Sequence, residues 1–170
     1  MRSSAVLVHI PEAEPVVGGW RLGHTFDAPL GVPPHVTLLF PFVPADELTG
    51  EVEERLARIV GAAEPFDVTF PRTARFPTLI YLEPHPSRPF SVLTEAIAAE
   101  WPEHPPYEGE FDEVVPHLTV AESEDEGLLQ RVEADVETGL PLHARVSEAQ
   151  LYAEDPAGRW HQLCSLPLAG

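Results

Sequence analysis

The chain contains no lysine, and its ten basic residues are all arginine, against 28 acidic residues. The formal net charge is therefore −18 at pH 7. Duplex binding depends on many phosphate contacts from lysine and arginine. This charge balance predicts no extended nucleic-acid binding and no affinity for anionic membranes. A small anionic ligand held by a few directed donors is compatible with it, and solubility alone would also explain the charge.

Cysteine is almost missing too, because Cys164 is the only one in 170 residues. A single cysteine excludes an internal disulfide framework and a metal site built from cysteines. The apolar run at residues 5–10 stops at Pro11, so it is too short for a secretory signal, and no stretch approaches a membrane span. We therefore expect a cytoplasmic protein. The length fits one domain with a substantial core.

One short motif occurs twice, the copies lying 82 residues apart. Residues 34–40 read PHVTLLF and residues 116–121 read PHLTVA. Apolar, partly β-branched residues after a proline predict a strand in each copy. Because side chains alternate along a strand, His35 and Thr37 share one face, and so do His117 and Thr119. Two copies with apolar neighbours would arise by chance in on the order of one chain in a hundred.

The elements predicted after each motif strand come in the same order: a helix, then two strands. After the first copy these are a helix over 44–61 and strands over 66–70 and 78–83. After the second they are a helix capped by Ser123 and strands over 140–146 and 150–153. Outside the repeat, strands are predicted over 5–10 and 160–166, a helix over 87–101, and irregular segments over 11–34 and 103–113.

This order predicts an α+β fold built from two βαββ-type units, residues 34–83 and 116–154. Two such units suggest a bilobal molecule with two antiparallel sheets around a central cleft. A pseudo-twofold axis between the lobes would bring both motif strands to that cleft. Residues 1–170 are thus expected to form a single domain of two pseudo-symmetric lobes.

The doubled His-x-Thr motif resembles the two-histidine (2H) phosphoesterase superfamily, specifically its 2′-5′ RNA ligase-like bacterial branch. His35, Thr37, His117 and Thr119 match its signature motifs at every defining position. The resemblance implies a bilobal α+β fold and hydrolysis of cyclic phosphodiesters without a metal or other cofactor. Substrates of this kind are 2′,3′-cyclic nucleotides, RNA ends and ADP-ribose 1″,2″-cyclic phosphate. Some members seal or cut 2′-5′ linkages, but the lack of lysine argues against long RNA here.

Histidine and threonine suit this chemistry. Opening a cyclic phosphodiester needs water activated on one side of phosphorus and a proton delivered to the departing oxygen on the other. Imidazole titrates near neutral pH, so two imidazoles can share these roles. Hydroxyls of Thr37 and Thr119 can donate hydrogen bonds to the non-bridging oxygens. The resemblance favours His35 as the acid and His117 as the base, and a reversed substrate would exchange them.

Further residues are candidates for lining the substrate pocket, with packing or solvation as the alternative for each. An aromatic ring could stack on a base, and an arginine could bind a phosphate. Phe40 and Phe42 are predicted to belong to the core. The pocket candidates are Trp20, Arg21, His24, Arg75, Tyr81, Arg159 and Trp160.

Rival functions are a non-catalytic nucleotide-binding module on the same fold, a 2′-5′ RNA ligase, and a structural protein in which both histidines are buried. A metal hydrolase is disfavoured because no His-x-x-x-His or similar spacing occurs. A serine hydrolase is disfavoured because no Gly-x-Ser-x-Gly elbow occurs. We expect a monomer whose partner is a small nucleotide or an RNA end.

Overall fold

A computed structural model describes residues 1–110 and 114–169. The strands are β1 (Ser4–His9), β2 (His35–Leu39), β3 (Phe66–Phe70), β4 (Thr73–Phe76), β5 (Leu79–Leu82), β6 (Leu118–Glu122), β7 (Leu142–Val146), β8 (Glu148–Glu154) and β9 (Trp160–Pro167). The helices are α1 (Glu14–His24), α2 (Gly50–Gly61), α3 (Arg88–Glu100) and α4 (Glu126–Glu137). Every strand pairing among them is antiparallel, so the predicted α+β class with antiparallel sheets is confirmed.

The sheets place the two motif strands at edges that lie side by side. One sheet has the order β2-β1-β8-β9, a second has the order β4-β5-β6, and β3 pairs with β7. An isolated bridge between Thr69 and His85 connects β3 to the chain that follows β5. Strands β2 and β6 are the outer strands of their sheets and are in contact with each other. The histidine motifs therefore meet where the two sheets adjoin.

The sequence repeat does not coincide with the sheets. Strand β2 pairs with β1, whereas β5, which follows β2 in the first repeat, pairs with β6 of the second. Strand β8 of the second repeat pairs in turn with β1. Each motif strand thus lies in a sheet that is completed by strands from the other half of the chain.

The prediction of an irregular segment over residues 11–34 is wrong, because α1 occupies Glu14–His24. Three glycines, at positions 18, 19 and 23, lower the helix propensity of this stretch. Tertiary packing outweighs that propensity: Val17 and Arg21 are buried, and α1 lies against β6. Proline in the first turn supports the start of the helix, since a proline there sacrifices no hydrogen bond.

Two predicted helix starts are also corrected. Helix α2 begins at Gly50 rather than near residue 44, because the Thr49 hydroxyl accepts a hydrogen bond from the Val52 amide at 3.3 Å. Helix α4 is capped by Asp125, whose carboxylate accepts from the Leu128 amide at 3.2 Å, and not by Ser123. A strand that sequence analysis missed, β4, carries Arg75, which was predicted to lie in a connection.

The core confirms the predicted alternation along both motif strands. Val36 and Leu38 are buried behind β2, and Leu118 and Val120 are buried behind β6, while the intervening histidine and threonine positions are partly exposed. The Thr94 hydroxyl of α3 donates to the Leu38 carbonyl at 2.7 Å and ties that helix to β2. No helix within residues 1–110 and 114–169 is long and apolar enough to cross a membrane.

Candidate active site

The ring of His35 is oriented by the backbone that precedes it. Nδ1 lies 2.7 Å from the carbonyl oxygen of Pro33. A carbonyl only accepts hydrogen bonds, so the proton of the neutral ring sits on Nδ1, and Nε2 carries the lone pair. Nε2 lies 4.0 Å from Oδ2 of Asp27, and the His35 side chain is 11% exposed. His35 is therefore an oriented imidazole with its basic nitrogen beside a carboxylate.

His117 repeats this local geometry in the second motif. Its Nδ1 lies 2.7 Å from the carbonyl oxygen of Val115, again two residues upstream across a proline. The same reasoning gives His117 an Nδ1 proton and an unprotonated Nε2. The ring edge contacts Phe76 and Tyr81, with centroid distances of 5.6 Å to each. The repeated Pro-His sequence thus produces the same tautomer twice.

Burial lowers the pKa of both histidines. The pKa of His35 falls to about 4, because desolvation by burial, together with smaller effects of Arg21 and His117, outweighs the opposing effects of Asp27 and of the hydrogen bond to Pro33. Burial also lowers the pKa of His117, opposed by the hydrogen bond to Val115. In the ligand-free protein both rings are therefore neutral at pH 7. His117 is close enough to affect the pKa of His35, so the two rings titrate in a shared environment.

An apolar cavity of about 240 Å³ opens beside His35. Four aromatic side chains line it: Phe26, which is 87% exposed, Phe40, Tyr107 and Trp160. The rings of Phe40 and Trp160 meet edge to face, with centroids 6.0 Å apart. Phe40 was predicted to be core and instead lines this cavity, whereas Phe42 is buried as predicted. Aromatic walls of this kind suit a flat ring such as a nucleobase.

A second cavity, of about 550 Å³, opens beside His117. Phe76, Leu79 and Val115 contribute apolar walls, and Tyr107 closes one side. The ring of Phe76 stacks on Tyr81, with centroids 4.6 Å apart and an interplanar angle of 27°. Tyr81 itself is nearly buried beneath that stack. Each histidine thus has its own apolar cavity.

Tyr107 lines both cavities and was missed by sequence analysis. Its hydroxyl forms a hydrogen bond with Thr37, and its backbone amide donates to the Phe40 carbonyl at 2.6 Å. Tyr107 and Glu108 adopt left-handed backbone angles, with φ of 51° and 57°. Such angles cost of order 1–3 kcal/mol per non-glycine residue and cluster at functional sites. The predicted loop over 103–113 contains this turn, and its residues 111–113 lie outside the described residues.

Both histidine motifs fall within the region shared with a known protein family. The profile of the 2′-5′ RNA ligase superfamily matches residues 10–158, which include the two motifs. The chain belongs to the 2′-5′ RNA ligase superfamily. This membership confirms the resemblance to the two-histidine phosphoesterases that the doubled motif indicated.

Solved structures agree on the fold. Escherichia coli LigT complexed with 3′-AMP superimposes with a TM-score of 0.63 at 18% identity, over 99% of each chain. A Thermus thermophilus protein superimposes with a TM-score of 0.63 at 22% identity, over 100% of this chain and 99% of that one. A protein described as a phosphoesterase gives a TM-score of 0.60 at 19% identity, over both full chains. At these identities the similarity establishes the fold alone. No curated protein sequence matches the chain.

Of the seven pocket candidates, only Trp160 is among the residues that line the two cavities of this superfamily member, and three of the others are held by contacts on or near α4. The Trp20 indole donates to Oδ2 of Asp135 at 2.7 Å, and His24 lies beside that indole with ring centroids 6.0 Å apart. Both side chains thus lie near α4 and not at the motif histidines. Arg75 forms ion pairs with Glu126 at 2.7 Å and Glu133 at 2.6 Å, so α4 neutralises its charge.

The remaining pocket candidates lie closer to the histidines. Trp160 lines the cavity of His35, and Tyr81 contacts the ring of His117. Arg159 is exposed beside Trp160, and no ion pair is found for it among the described residues. Arg21 is 1% exposed, so it lies within the protein and not at an entrance.

Several residues that line the cavities escaped sequence analysis because no local pattern marks them. They are Phe26, Asp27, Phe76 and Tyr107. Within residues 1–110 and 114–169, no three His, Cys, Asp or Glu side chains converge as a metal site would require. The two imidazoles can instead exchange protons with a ligand: with one ring protonated, one Nε2 donates and the other accepts.

Proposed function

We propose that this protein is a metal-independent phosphodiesterase that hydrolyses 2′,3′-cyclic phosphates of nucleotides or RNA ends, or a related cyclic phosphodiester. One observation carries the proposal: two imidazoles, one at the start of β2 and one immediately before the adjoining edge strand β6, have the same Nδ1 hydrogen bond and hence the same basic Nε2. Membership in a family of phosphoesterases and ligases supports an enzyme that acts on a phosphodiester.

Burial keeps His35 neutral in the ligand-free protein, with a pKa of about 4, so an acid role for this ring requires that a bound ligand favour its protonation. A proton on Nε2 of His35 would lie beside the Asp27 carboxylate, 4.0 Å away. An anionic phosphate between the rings would stabilise that proton further, because opposite charges favour the protonated imidazole. Among the described residues, no carboxylate lies within 4.0 Å of His117. In the complex with a bound phosphate, we therefore assign the acid role to His35 and the base role to His117.

Hydrolysis then needs one proton to enter the site and one to leave. A water molecule attacks phosphorus while Nε2 of His117 takes its proton. The bond from phosphorus to one ribose oxygen breaks while Nε2 of His35 gives its proton to that oxygen. Thr37 and Thr119 donate hydrogen bonds to the non-bridging oxygens, where charge develops. Proton exchange with solvent afterwards restores a protonated His35 and a neutral His117.

The cavity beside His35 supports a nucleotide as the ligand. Its aromatic walls suit a nucleobase, and its volume of about 240 Å³ matches a single ring system better than a polymer. The net charge of −18 opposes long RNA. Structures of LigT complexed with 3′-AMP, NADP+ and ATP support a ligand of this size on this fold. A monomer acting on a small nucleotide or a short RNA end fits these observations.

Turnover in the presence of EDTA tests the proposal. The purified protein is incubated with 2′,3′-cyclic AMP and with a short RNA that ends in a cyclic phosphate, and the His35→Ala/His117→Ala double variant is the control. Turnover that survives EDTA and is absent in the double variant supports a two-histidine phosphodiesterase. Failure of the wild type to cleave these two substrates and ADP-ribose 1″,2″-cyclic phosphate, with ligand binding retained, would contradict it and favour a nucleotide-binding module. A joined product from added 5′-hydroxyl RNA would identify ligation.

A further inference from the structure

One buried arginine hydrogen-bonds to the backbone next to both histidine motifs. Nη1 of Arg21 donates to the carbonyl of Thr119 at 2.8 Å. Nη2 is directed at three acceptors: Oδ1 of Asp27 at 3.2 Å and the carbonyls of Val32 at 3.1 Å and Pro33 at 3.4 Å. A single guanidinium thus links helix α1, the segment before β2, and strand β6.

These acceptors are the groups that orient the candidate catalytic side chains. The Pro33 carbonyl that Arg21 contacts also accepts the Nδ1 proton of His35. The Asp27 carboxylate that pairs with Arg21 through Oδ1 presents Oδ2 to Nε2 of His35. On the other strand, the backbone of Thr119 is held through its own carbonyl. Arg21 therefore constrains the first motif through two groups and the second motif through one.

Fold stability by itself does not explain a cation in this position. The Arg21 side chain is 1% exposed, while its only carboxylate partner among the described residues, Asp27, is 34% exposed. Nε of Arg21 is buried with no hydrogen-bond partner in the described part of the chain. A buried ion pair of this kind often adds no more stability than apolar side chains of similar volume. The rigid, planar donor set is what an apolar residue could not provide.

We infer that Arg21 is a positioning residue, which fixes the spacing of the two motif strands and the orientation of His35. This inference rests on the proposed function, because it concerns the same two histidines. Arg21 does not itself line either cavity, so it acts through the groups that it holds, Pro33, Asp27 and Thr119. An error of about 1 Å in the placement of a catalytic group can cost on the order of 10²-fold in rate.

Arg21→Met, which keeps an unbranched side chain and removes all five donors, tests the inference against Arg55→Met as a matched control. Arg55 pairs with Glu100 away from both cavities. We expect Arg21→Met to lower kcat by about 10²-fold while KM changes by less than about threefold. The pH dependence of kcat should also shift, because removal of the Arg21 cation raises the pKa of His35. Asp27 and His117 also influence that pKa and remain in place. Arg55→Met should lower only the melting temperature. A folded Arg21→Met with wild-type kcat and pH profile would overturn the inference.

Arg21→Lys provides a second test if Arg21→Met does not fold. Lysine keeps the charge but loses the planar fork, so a positioning role predicts a folded protein with kcat lowered at least about tenfold. Wild-type kcat in Arg21→Lys would contradict that role. Imidazole NMR supplies a readout that needs no turnover: the Nδ1–H signal of His35 should broaden or disappear in Arg21→Lys and persist in Arg55→Met. An unchanged signal would refute the inference even if the wild type hydrolysed none of the substrates.

Discussion

The two histidine motifs have the same local geometry in different surroundings. Each ring is held by a 2.7 Å hydrogen bond from Nδ1 to a carbonyl two residues upstream. His35, however, has a carboxylate at 4.0 Å and a buried guanidinium nearby, whereas His117 lies against the aromatic rings of Phe76 and Tyr81. The backbone is thus repeated, and the electrostatic environment is not.

This difference shows how a duplicated motif can supply two chemical roles. A short sequence such as Pro-His-x-Thr determines tautomer and direction, because both depend on backbone atoms within two residues. The affinity of each ring for a proton depends instead on how strongly burial desolvates it and, for His35, on charges brought from other elements, of which Asp27 has the largest effect. In the proposed mechanism, two rings with the same tautomer take the roles of acid and base because residues outside the motif differ.

The largest expected effect is the loss of either imidazole. His35→Ala and His117→Ala should each lower kcat by about 10²–10⁴-fold, because a positioned acid or base contributes that much. Steady-state kinetics with a cyclic phosphodiester substrate measures the loss, and circular dichroism checks the fold. His143→Ala is a matched control, since that histidine is exposed, lies on neither cavity wall and, among the described residues, hydrogen-bonds to Thr69. A motif variant as active as His143→Ala would show that its imidazole takes no part in turnover.

Stability should depend on pH through His35. Its folded pKa of about 4 lies below the value of about 6.5 for an unfolded chain, so unfolding takes up a proton between these values. The contribution is complete above pH 6.5 and is lost as the pH falls towards 4, by on the order of 3 kcal/mol. Urea titrations from pH 4.5 to 7.5 should give a flatter dependence for His35→Gln than for wild type. Parallel curves would show that His35 is not buried as described.

Removal of the Asp27 charge should lower the pKa of His35 further. Asp27→Asn keeps an oxygen for Arg21 and loses the negative charge that raises the pKa of His35. The alkaline limb of kcat/KM should therefore move to lower pH, and activity above it should fall about tenfold for each pKa unit. Asp155→Asn, which removes a carboxylate 2.7 Å from His161 outside the cavities, is the control. An alkaline limb at the wild-type pH would mean that the Asp27 charge does not support His35 as the acid.

The smallest expected effect concerns Tyr107, which lies between the two cavities. Tyr107→Phe removes the hydroxyl that bonds Thr37 and keeps the ring. A hydrogen bond contributes about 1 kcal/mol, which corresponds to roughly fivefold in kcat. The matched control is Tyr152→Phe, which removes a hydroxyl from a residue on neither cavity wall. Equal effects of the two substitutions would show that the Tyr107 hydroxyl makes no specific contribution to turnover.

The parts of this site that sequence analysis predicted are those with local causes. The pairing of His35 with Thr37 on one face follows from strand alternation, and the burial of Val36 and Leu38 behind them follows from the same rule. Both motif strands, with their inward and outward faces, could therefore be predicted from the sequence alone. Membership in the superfamily followed from those positions.

The parts that were missed depend on contacts between distant segments. Helix α1 was predicted to be a loop because its glycines lower the propensity that packing on β6 restores. Asp27 follows α1 in the chain, so its position beside His35 depends on how that helix packs. Tyr107 reaches both cavities through a left-handed turn that tyrosine rarely adopts. The exchange of strands between the two repeats likewise has no local signal in the sequence.

The pH dependence of kcat/KM for wild type, His35→Ala and His117→Ala, measured with EDTA present, tests the two-histidine mechanism most directly. Since burial lowers both pKa values, the wild-type curve should be bell-shaped with its optimum below pH 6.5. His35→Ala should lose the alkaline limb, and His117→Ala should lose the acid limb. Both limbs persisting in both variants, or wild-type activity abolished by EDTA, would contradict a mechanism in which these two imidazoles act as acid and base.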